Sequence, residues 1–138
     1  MIGFVSVSER GHQGLLVEIL QSDYSHPATK TFGEDTSTGN EKCYDIKTAG
    51  SKLYAGCTTT STGWSQDSNT DLMFWKIDST SLTIDATIVL GIAGKDDDFG
   101  AMEVSSDESI LYFSTVYPTD PGRCVVTVGK IALEDETI

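Results

Sequence analysis

Three observations in the sequence predict an all-β fold. Short segments rich in β-branched and aromatic residues recur along the 138-residue chain, each bounded by Gly, Ser, Thr, Asn or Asp. This is the pattern of strands joined by turns. No segment carries an apolar face at helical spacing over three turns with caps, so no long helix is expected. Apolar residues make up 38% of the chain, enough to form a folded core.

Nine strands are predicted in chain order. Their expected bounds are residues 3–8, 15–20, 44–48, 52–57, 72–78, 83–90, 101–104, 110–115 and 124–133. The stretch at 71–78 reads DLMFWKID, and its continuous apolar run suits a strand that is covered on both faces. The polar stretches at 34–42 and 58–70 are expected to be loops.

Two cysteines flank a predicted hairpin. Folding the chain about Gly50 places Cys43 opposite Cys57. A disulfide between them would imply an oxidising compartment, whereas the alternative is two reduced, half-buried cysteines. The sequence favours neither. No zinc-binding spacing is present, because the chain has no Cys-x-x-Cys pair and only two histidines, and Cys124 is left over.

The chain repeats itself at long offsets. Leu53-Tyr54 recurs as Leu111-Tyr112 at an offset of 58 residues, and Trp75-Lys76-Ile77 recurs as Gly129-Lys130-Ile131 at an offset of 54. In the same way Tyr44 matches Phe99 at an offset of 55, each at the start of a strand. A period near 55 residues built from four short strands is typical of β-propeller blades.

The segments of this repeat resemble a known family. The segment 71–78 is followed by Leu90-Gly91, Asp97-Asp98-Phe99, Val104 with Asp107, and Leu111-Tyr112. Together they resemble the bacterial-type β-propeller repeat abbreviated SBBP, over most of residues 15–133. The usual Gly pair is replaced by GIAG at 91–94, and kelch repeats are a weaker match because their Gly doublet is missing. The matched positions are packing and turn residues, so the resemblance implies an architecture and no particular activity.

The resemblance implies antiparallel four-stranded blades that are incomplete within this chain. A partial blade is expected at 1–43, a blade at about 44–98 and an incomplete blade at about 99–138. Unpaired strand edges and blade faces would be exposed in such a segment. The chain is therefore expected to be an excerpt of a longer polypeptide, or to complete its sheets with neighbouring chains.

Composition narrows the range of partners. Nine basic residues against 21 acidic ones give a net charge of −12, which excludes nucleic acid as an expected partner because the phosphates would be repelled. No stretch approaches the roughly 18 apolar residues of a membrane span. The first residues lack a basic region and a long apolar core, so no signal peptide is predicted.

Candidate site residues are few. Asp96, Asp97 and Asp98 offer hard oxygen ligands, which makes calcium the one cofactor that the sequence suggests. The alternative is that one of these residues anchors the turn before a strand. Trp64 lies in a loop rich in Ser and Thr and is a candidate to stack on a sugar or to anchor a protein partner, unless it folds back over a sheet edge. No catalytic residue is predicted, because the Gly-x-Ser-x-Gly pattern and phosphate-binding glycine motifs are missing.

The favoured function is a non-enzymatic propeller segment that acts as an extracellular scaffold or protein-interaction surface, including a structural subunit of a larger assembly. Its partners would be further blades of the same polypeptide or neighbouring chains. Placement at the cell surface rests on the acidic, Ser- and Thr-rich composition, the Cys43–Cys57 pair and the SBBP resemblance. The alternatives are a fragment of a propeller enzyme acting on glycans, and a carbohydrate-binding module.

Overall fold

The protein is described by a computed structural model that covers residues 2–9, 12–19, 29–32, 40–60, 65, 69–120 and 123–133. Side chains are described from residue 40 onward within these ranges, except that of Asp120. The described residues form ten strands and no helix: β1 (Ile2–Glu9), β2 (His12–Ile19), β3 (Thr29–Phe32), β4 (Glu41–Ala49), β5 (Lys52–Thr59), β6 (Asp71–Asp78), β7 (Ile84–Leu90), β8 (Asp98–Val104), β9 (Ile110–Asp120) and β10 (Arg123–Ala132).

The all-β prediction is confirmed. Each of the nine predicted strands overlaps a strand of the structure, and β3 is the one that was not predicted. In the described part of the chain, no helix is long and apolar enough to cross a membrane.

The strands form three antiparallel sheets in which each strand pairs with the next along the chain. The first sheet is β1-β2-β3, the central sheet is β4-β5-β6-β7 and the third sheet is β8-β9-β10. Connections of this kind need only turns between neighbouring strands, and the Gly-, Ser- and Asp-rich segments supply them.

The two middle strands of the central sheet, β5 and β6, are buried on both faces. Leu72, Met73, Phe74 and Trp75 of β6 are each at most 2% exposed, which confirms the prediction for the apolar run at 71–78. Because successive side chains of a strand point to opposite faces, β6 contributes to two separate apolar clusters.

The first cluster, the disulfide-side cluster, lies on the face that carries the Cys57 side chain. Its buried members are Leu53, Ala55, Cys57, Met73, Trp75, Ile77 and Leu82. The second, the inter-sheet core, lies between the central and third sheets. Its buried members are Ala49, Tyr54, Leu72, Phe74, Phe99, Met102, Leu111 and Phe113.

Aromatic rings fix the contact between these two sheets. The ring of Phe74 lies 4.9 Å from that of Phe113 and 6.2 Å from that of Phe99, in tilted arrangements that aromatic pairs prefer. A Cβ at Gly56 would overlap the Phe99 ring, so the close approach of β8 to β5 requires glycine there. At the outer edge of this contact, Lys47 pairs with Glu103 at 3.0 Å.

Replacing the central ring of the inter-sheet core tests this packing. We expect Phe74→Ala to lower the free energy of unfolding by about 3–5 kcal/mol, because a buried aromatic side chain is lost and a cavity remains. Urea denaturation measures the change. The matched control is Ile92→Ala, which truncates an exposed side chain and should change stability by no more than about 0.5 kcal/mol. Equal effects of the two substitutions would contradict this account of the core.

Candidate functional site

A disulfide joins β4 to β5. The sulfurs of Cys43 and Cys57 are bonded, and the two residues lie directly opposite each other with their Cα atoms 3.9 Å apart. Of the two alternatives left open by the sequence, the structure has the disulfide. Such a bond is compatible with an oxidising environment.

The pairing of these cysteines depends on a β-bulge. Next to the turn, Ala49 pairs with Lys52, so without interruption Cys57 would lie opposite Tyr44. The register shifts by one residue between Cys43 and Asp45 and brings Cys43 opposite Cys57. The predicted partner was right, but the register predicted near the turn was wrong by one residue, because periodicity does not reveal a bulge.

The residue at the bulge makes the contact between sheets. The ring of Tyr44 stacks on that of Phe99, with centroids 5.5 Å apart and planes at 12°. The two residues matched by the sequence repeat therefore touch each other across the gap between the central and third sheets.

Asp96, Asp97 and Asp98 do not come together in one site. Asp96 accepts a hydrogen bond from the Thr70 amide at 2.9 Å, and buried Asp97 accepts one from the Ile92 amide at 2.9 Å. Asp98 begins β8 and is exposed. Two of the three thus hold the loop between β7 and β8. Among the described residues, no group of three or more His, Cys, Asp or Glu side chains is arranged to hold a metal ion. The calcium site stays a prediction.

The other residue singled out from the sequence, Trp64, lies outside the described residues. Its role as a contact for sugar or protein stays a prediction.

The matched segments occupy equivalent positions in the central and third sheets. Tyr54 pairs with Lys76 across β5 and β6, and Tyr112 pairs with Lys130 across β9 and β10. One residue earlier on each Tyr strand, Leu53 pairs with Ile77 and Leu111 pairs with Ile131. The same side chains therefore meet at the same register in both sheets, with Leu on one face and Tyr on the other.

The equivalent Tyr faces differ in exposure. On the central sheet this face carries Tyr54 and Phe74, which are 6% and 1% exposed because the third sheet covers them. On the third sheet it carries Tyr112, Val126 and Val128, which are 44%, 67% and 72% exposed. We call this surface the outward face.

An open cleft lies between the central sheet and one end of the third sheet. It has a volume of about 240 Å³ and is bordered by β6 and β7 on one side and by the ends of β9 and β10 on the other. Its apolar lining includes Phe74, Ile88, Leu111 and Ile131. Lys76 and Asp85 supply charges at its border.

The outward face also has a signature in the sequence. Residues 124–128 read CVVTV, with β-branched residues at consecutive positions. This pattern suits a strand covered on both faces, as in β6. In the described part of the chain β10 has little cover on either face over residues 123–128, where Val125, Val126 and Val128 are 37%, 67% and 72% exposed.

Two turns are held by carboxylates. Asp78 accepts hydrogen bonds from the amides of Ser81 and Thr80 at 2.9 and 3.1 Å, and from the Lys52 ammonium at 3.0 Å. These bonds, led by that from the Ser81 amide, hold the pKa of Asp78 well below its usual range. Lys52 also donates to Asp85 at 2.6 Å, and the two carboxylates raise the pKa of Lys52 to about 12.

A carboxylate also holds the turn between β8 and β9. Asp107 accepts hydrogen bonds from the hydroxyls of Ser105 and Ser109 at 2.6 and 2.9 Å, and these lower its pKa. Both carboxylates close turns between paired strands, so their role is structural.

No protein-family model matches the chain, and searches of curated proteins and of solved structures find no match either.

Removing the disulfide should destabilise the fold without abolishing it. The bridge spans 14 residues, and closing a loop of that length stabilises a protein by about 3 kcal/mol in the chain-entropy model. We expect Cys43→Ala/Cys57→Ala to lose about 2–4 kcal/mol in urea denaturation. Cys124→Ala is the control, since that thiol is free and exposed; a comparable loss there would contradict the assignment.

Acid should weaken the turn that Asp78 closes. Because its pKa is lower in the folded than in the unfolded state, Asp78 stabilises the fold above about pH 4, and this contribution disappears as the pH falls. We expect Asp78→Asn to be less stable than wild type at about pH 7, and the difference to shrink at about pH 2.5. Urea midpoints at both values measure this. The control is Asp98→Asn, which removes an exposed charge and no turn; a constant difference for Asp78→Asn would refute the linkage.

Proposed function

We propose that the chain is a propeller-type repeat segment that acts as a non-enzymatic scaffold by packing sheet against sheet. The central sheet would be a complete four-stranded blade, and the third sheet, which has three strands in the described residues, an incomplete one. Its partner is a further sheet of the same pattern, in the same polypeptide or in a neighbouring chain.

The observation that carries the proposal is the contrast between the two Tyr faces. Phe74 on the central sheet corresponds to Val128 on the third sheet, and their exposed fractions are 1% and 72%. The third sheet covers the first of these positions, and an equivalent sheet placed in the same way would cover the second. Burial of apolar surface drives such packing at about 25 cal/mol per Å².

The shared register supports the repeat on which the proposal depends. The pairs Tyr54–Lys76 and Tyr112–Lys130 repeat side-chain identity and strand pairing together. Segments that belong to one repeat are expected to lie on corresponding strands of successive sheets, as these two pairs do.

The environment is proposed to be extracellular or at the cell surface. The Cys43–Cys57 disulfide and the net charge of −12 support it, since a disulfide persists where the surroundings are oxidising and a large charge keeps an exposed protein soluble.

Light scattering after size exclusion tests the scaffold function. We expect the wild-type chain to form assemblies heavier than its own 14.9 kDa, because the outward face is apolar. Val126→Lys/Val128→Lys should return it to single chains, since two charges would be desolvated in the contact. The control Thr80→Lys/Ile92→Lys adds the same charge in exposed turns and should leave the assembly intact. A wild-type chain that stays single at its highest soluble concentration would refute the proposal.

A further inference from the structure

The pairing register of the central and third sheets also occurs in the first sheet. Residues 17–19 of β2 read VEI, while residues 75–77 of β6 and 129–131 of β10 read WKI and GKI. Each of these strands pairs antiparallel with the strand before it. One apolar pair recurs at the same place in all three sheets: Ile2–Ile19, Leu53–Ile77 and Leu111–Ile131. Composition and strand pairing therefore repeat together three times along the chain.

This register gives each sheet two distinct faces. Residues that lie opposite each other in paired strands point to the same side of a sheet, and successive residues of a strand point to opposite sides. The recurring apolar pairs therefore mark one face of each sheet, which we call the pair face. The other face is the Tyr face, which carries Tyr54 in the central sheet, Tyr112 in the third sheet and Gly3 at the equivalent place in the first sheet.

The contact between the central and third sheets joins a pair face to a Tyr face. Leu111 and Phe113 lie on the pair face of the third sheet. They pack in the inter-sheet core with Tyr54 and Phe74, which lie on the Tyr face of the central sheet. Because the two surfaces differ, sheets joined in this way leave a Tyr face uncovered at one end of the series and a pair face at the other. The uncovered Tyr face of this chain is the outward face.

The pair face of the first sheet repeats residue types that the inter-sheet core uses. Ile2 and Phe4 of β1 hold the register positions of Leu111 and Phe113 of β9. Three apolar positions of β2 share this face by register: Leu15, Val17 and Ile19. The first sheet therefore has, at matching positions, the apolar residues that pack against Phe74 within the chain.

We infer that the outward face of one copy binds the pair face of the first sheet of a second copy, in the way that the third sheet binds the central sheet within one chain. Ile2 and Phe4 of the second copy then cover Val128, which matches Phe74 and is 72% exposed. The first sheet adjoins the central sheet, where β2 contacts β4. The same stacking order turns its Tyr face toward the central sheet and its pair face toward the second copy.

A second copy is the occupant because the chain carries both halves of the contact, at opposite ends of its three sheets. Two outward faces bound to each other would join Tyr face to Tyr face, an arrangement that the central and third sheets do not use. Contacts between unlike surfaces add copies in one direction and give rings or filaments. The inference rests on the proposed function, in which the outward face packs against a further sheet, and it adds which sheet and which chain.

Complementation between two surface variants of the full 138-residue chain tests the inference. Val126→Lys/Val128→Lys alters the outward face, and Phe4→Lys/Val17→Lys alters the pair face of the first sheet. Each variant alone should be a single chain in light scattering after size exclusion, because charges would be desolvated in the contact. An equal mixture should form a heterodimer of about twice 14.9 kDa, since each variant keeps the surface that the other lacks.

The outcomes separate this inference from the proposed function. If the wild type assembles and Phe4→Lys/Val17→Lys assembles to the same mass, the outward face has another partner. The inference is then wrong, and the scaffold function stands. A wild-type chain that stays single refutes both. The control for added charge is Thr80→Lys/Ile92→Lys, which should assemble as the wild type does.

Cross-linking tests the same contact without added charge, so it does not depend on how Phe4→Lys/Val17→Lys folds. Cys124→Ala removes the free thiol, and Val128→Cys and Phe4→Cys are introduced into that background in separate chains. After mild oxidation of an equal mixture, peptide mass spectrometry should find the bond between the two unlike chains as the main product, while each variant alone stays largely unlinked. A bond between two Val128→Cys chains as the main product would overturn the inference, because the outward faces would then bind each other.

Discussion

The structure depends on the burial of both faces of β5 and β6. Leu53 and Trp75 point to one side of the central sheet, while Tyr54 and Phe74 point to the other, and all four are nearly inaccessible to water. A strand pair of this composition is stable only when both of its faces are covered, because a fully buried large apolar side chain contributes about 1.5–3 kcal/mol. The third sheet covers one of these faces. Its Leu111 and Phe113 pack with Phe74 in the inter-sheet core.

One inserted residue connects the disulfide to the sheet contact. The bulge at Tyr44 moves Cys43 opposite Cys57, and it also places the Tyr44 ring on Phe99. A single bulge in β4 therefore determines both the position of the disulfide and the stacking of Tyr44 on the third sheet. Bulges of this kind redirect side chains at sheet edges, which is the position that β4 occupies.

The third sheet repeats the pairing of the central sheet without its coverage. The Tyr112–Lys130 pair matches Tyr54–Lys76 in register, but Val126 and Val128 remain open to solvent, and no strand corresponding to β7 lies on β10 in the described residues. The scaffold contact that we propose for the outward face follows from that difference. Carboxylates such as Asp78 and Asp107 close turns between paired strands.

The sequence by itself determined the strand content and the double burial of β6, because each depends on local composition. It left the state of Cys43 and Cys57 open, and their pairing in the structure depends on the bulge at Tyr44. It did not reveal β3, whose four residues TKTF are polar at alternate positions and carry too short a pattern to distinguish a strand from a loop. The bulge at Tyr44 was equally invisible, since an extra residue changes pairing without changing composition. Only the tertiary structure decided which sheet faces are covered. Phe74 and Val128 lie at matching positions of the central and third sheets, and what separates a buried residue from an exposed one is whether another sheet lies against it.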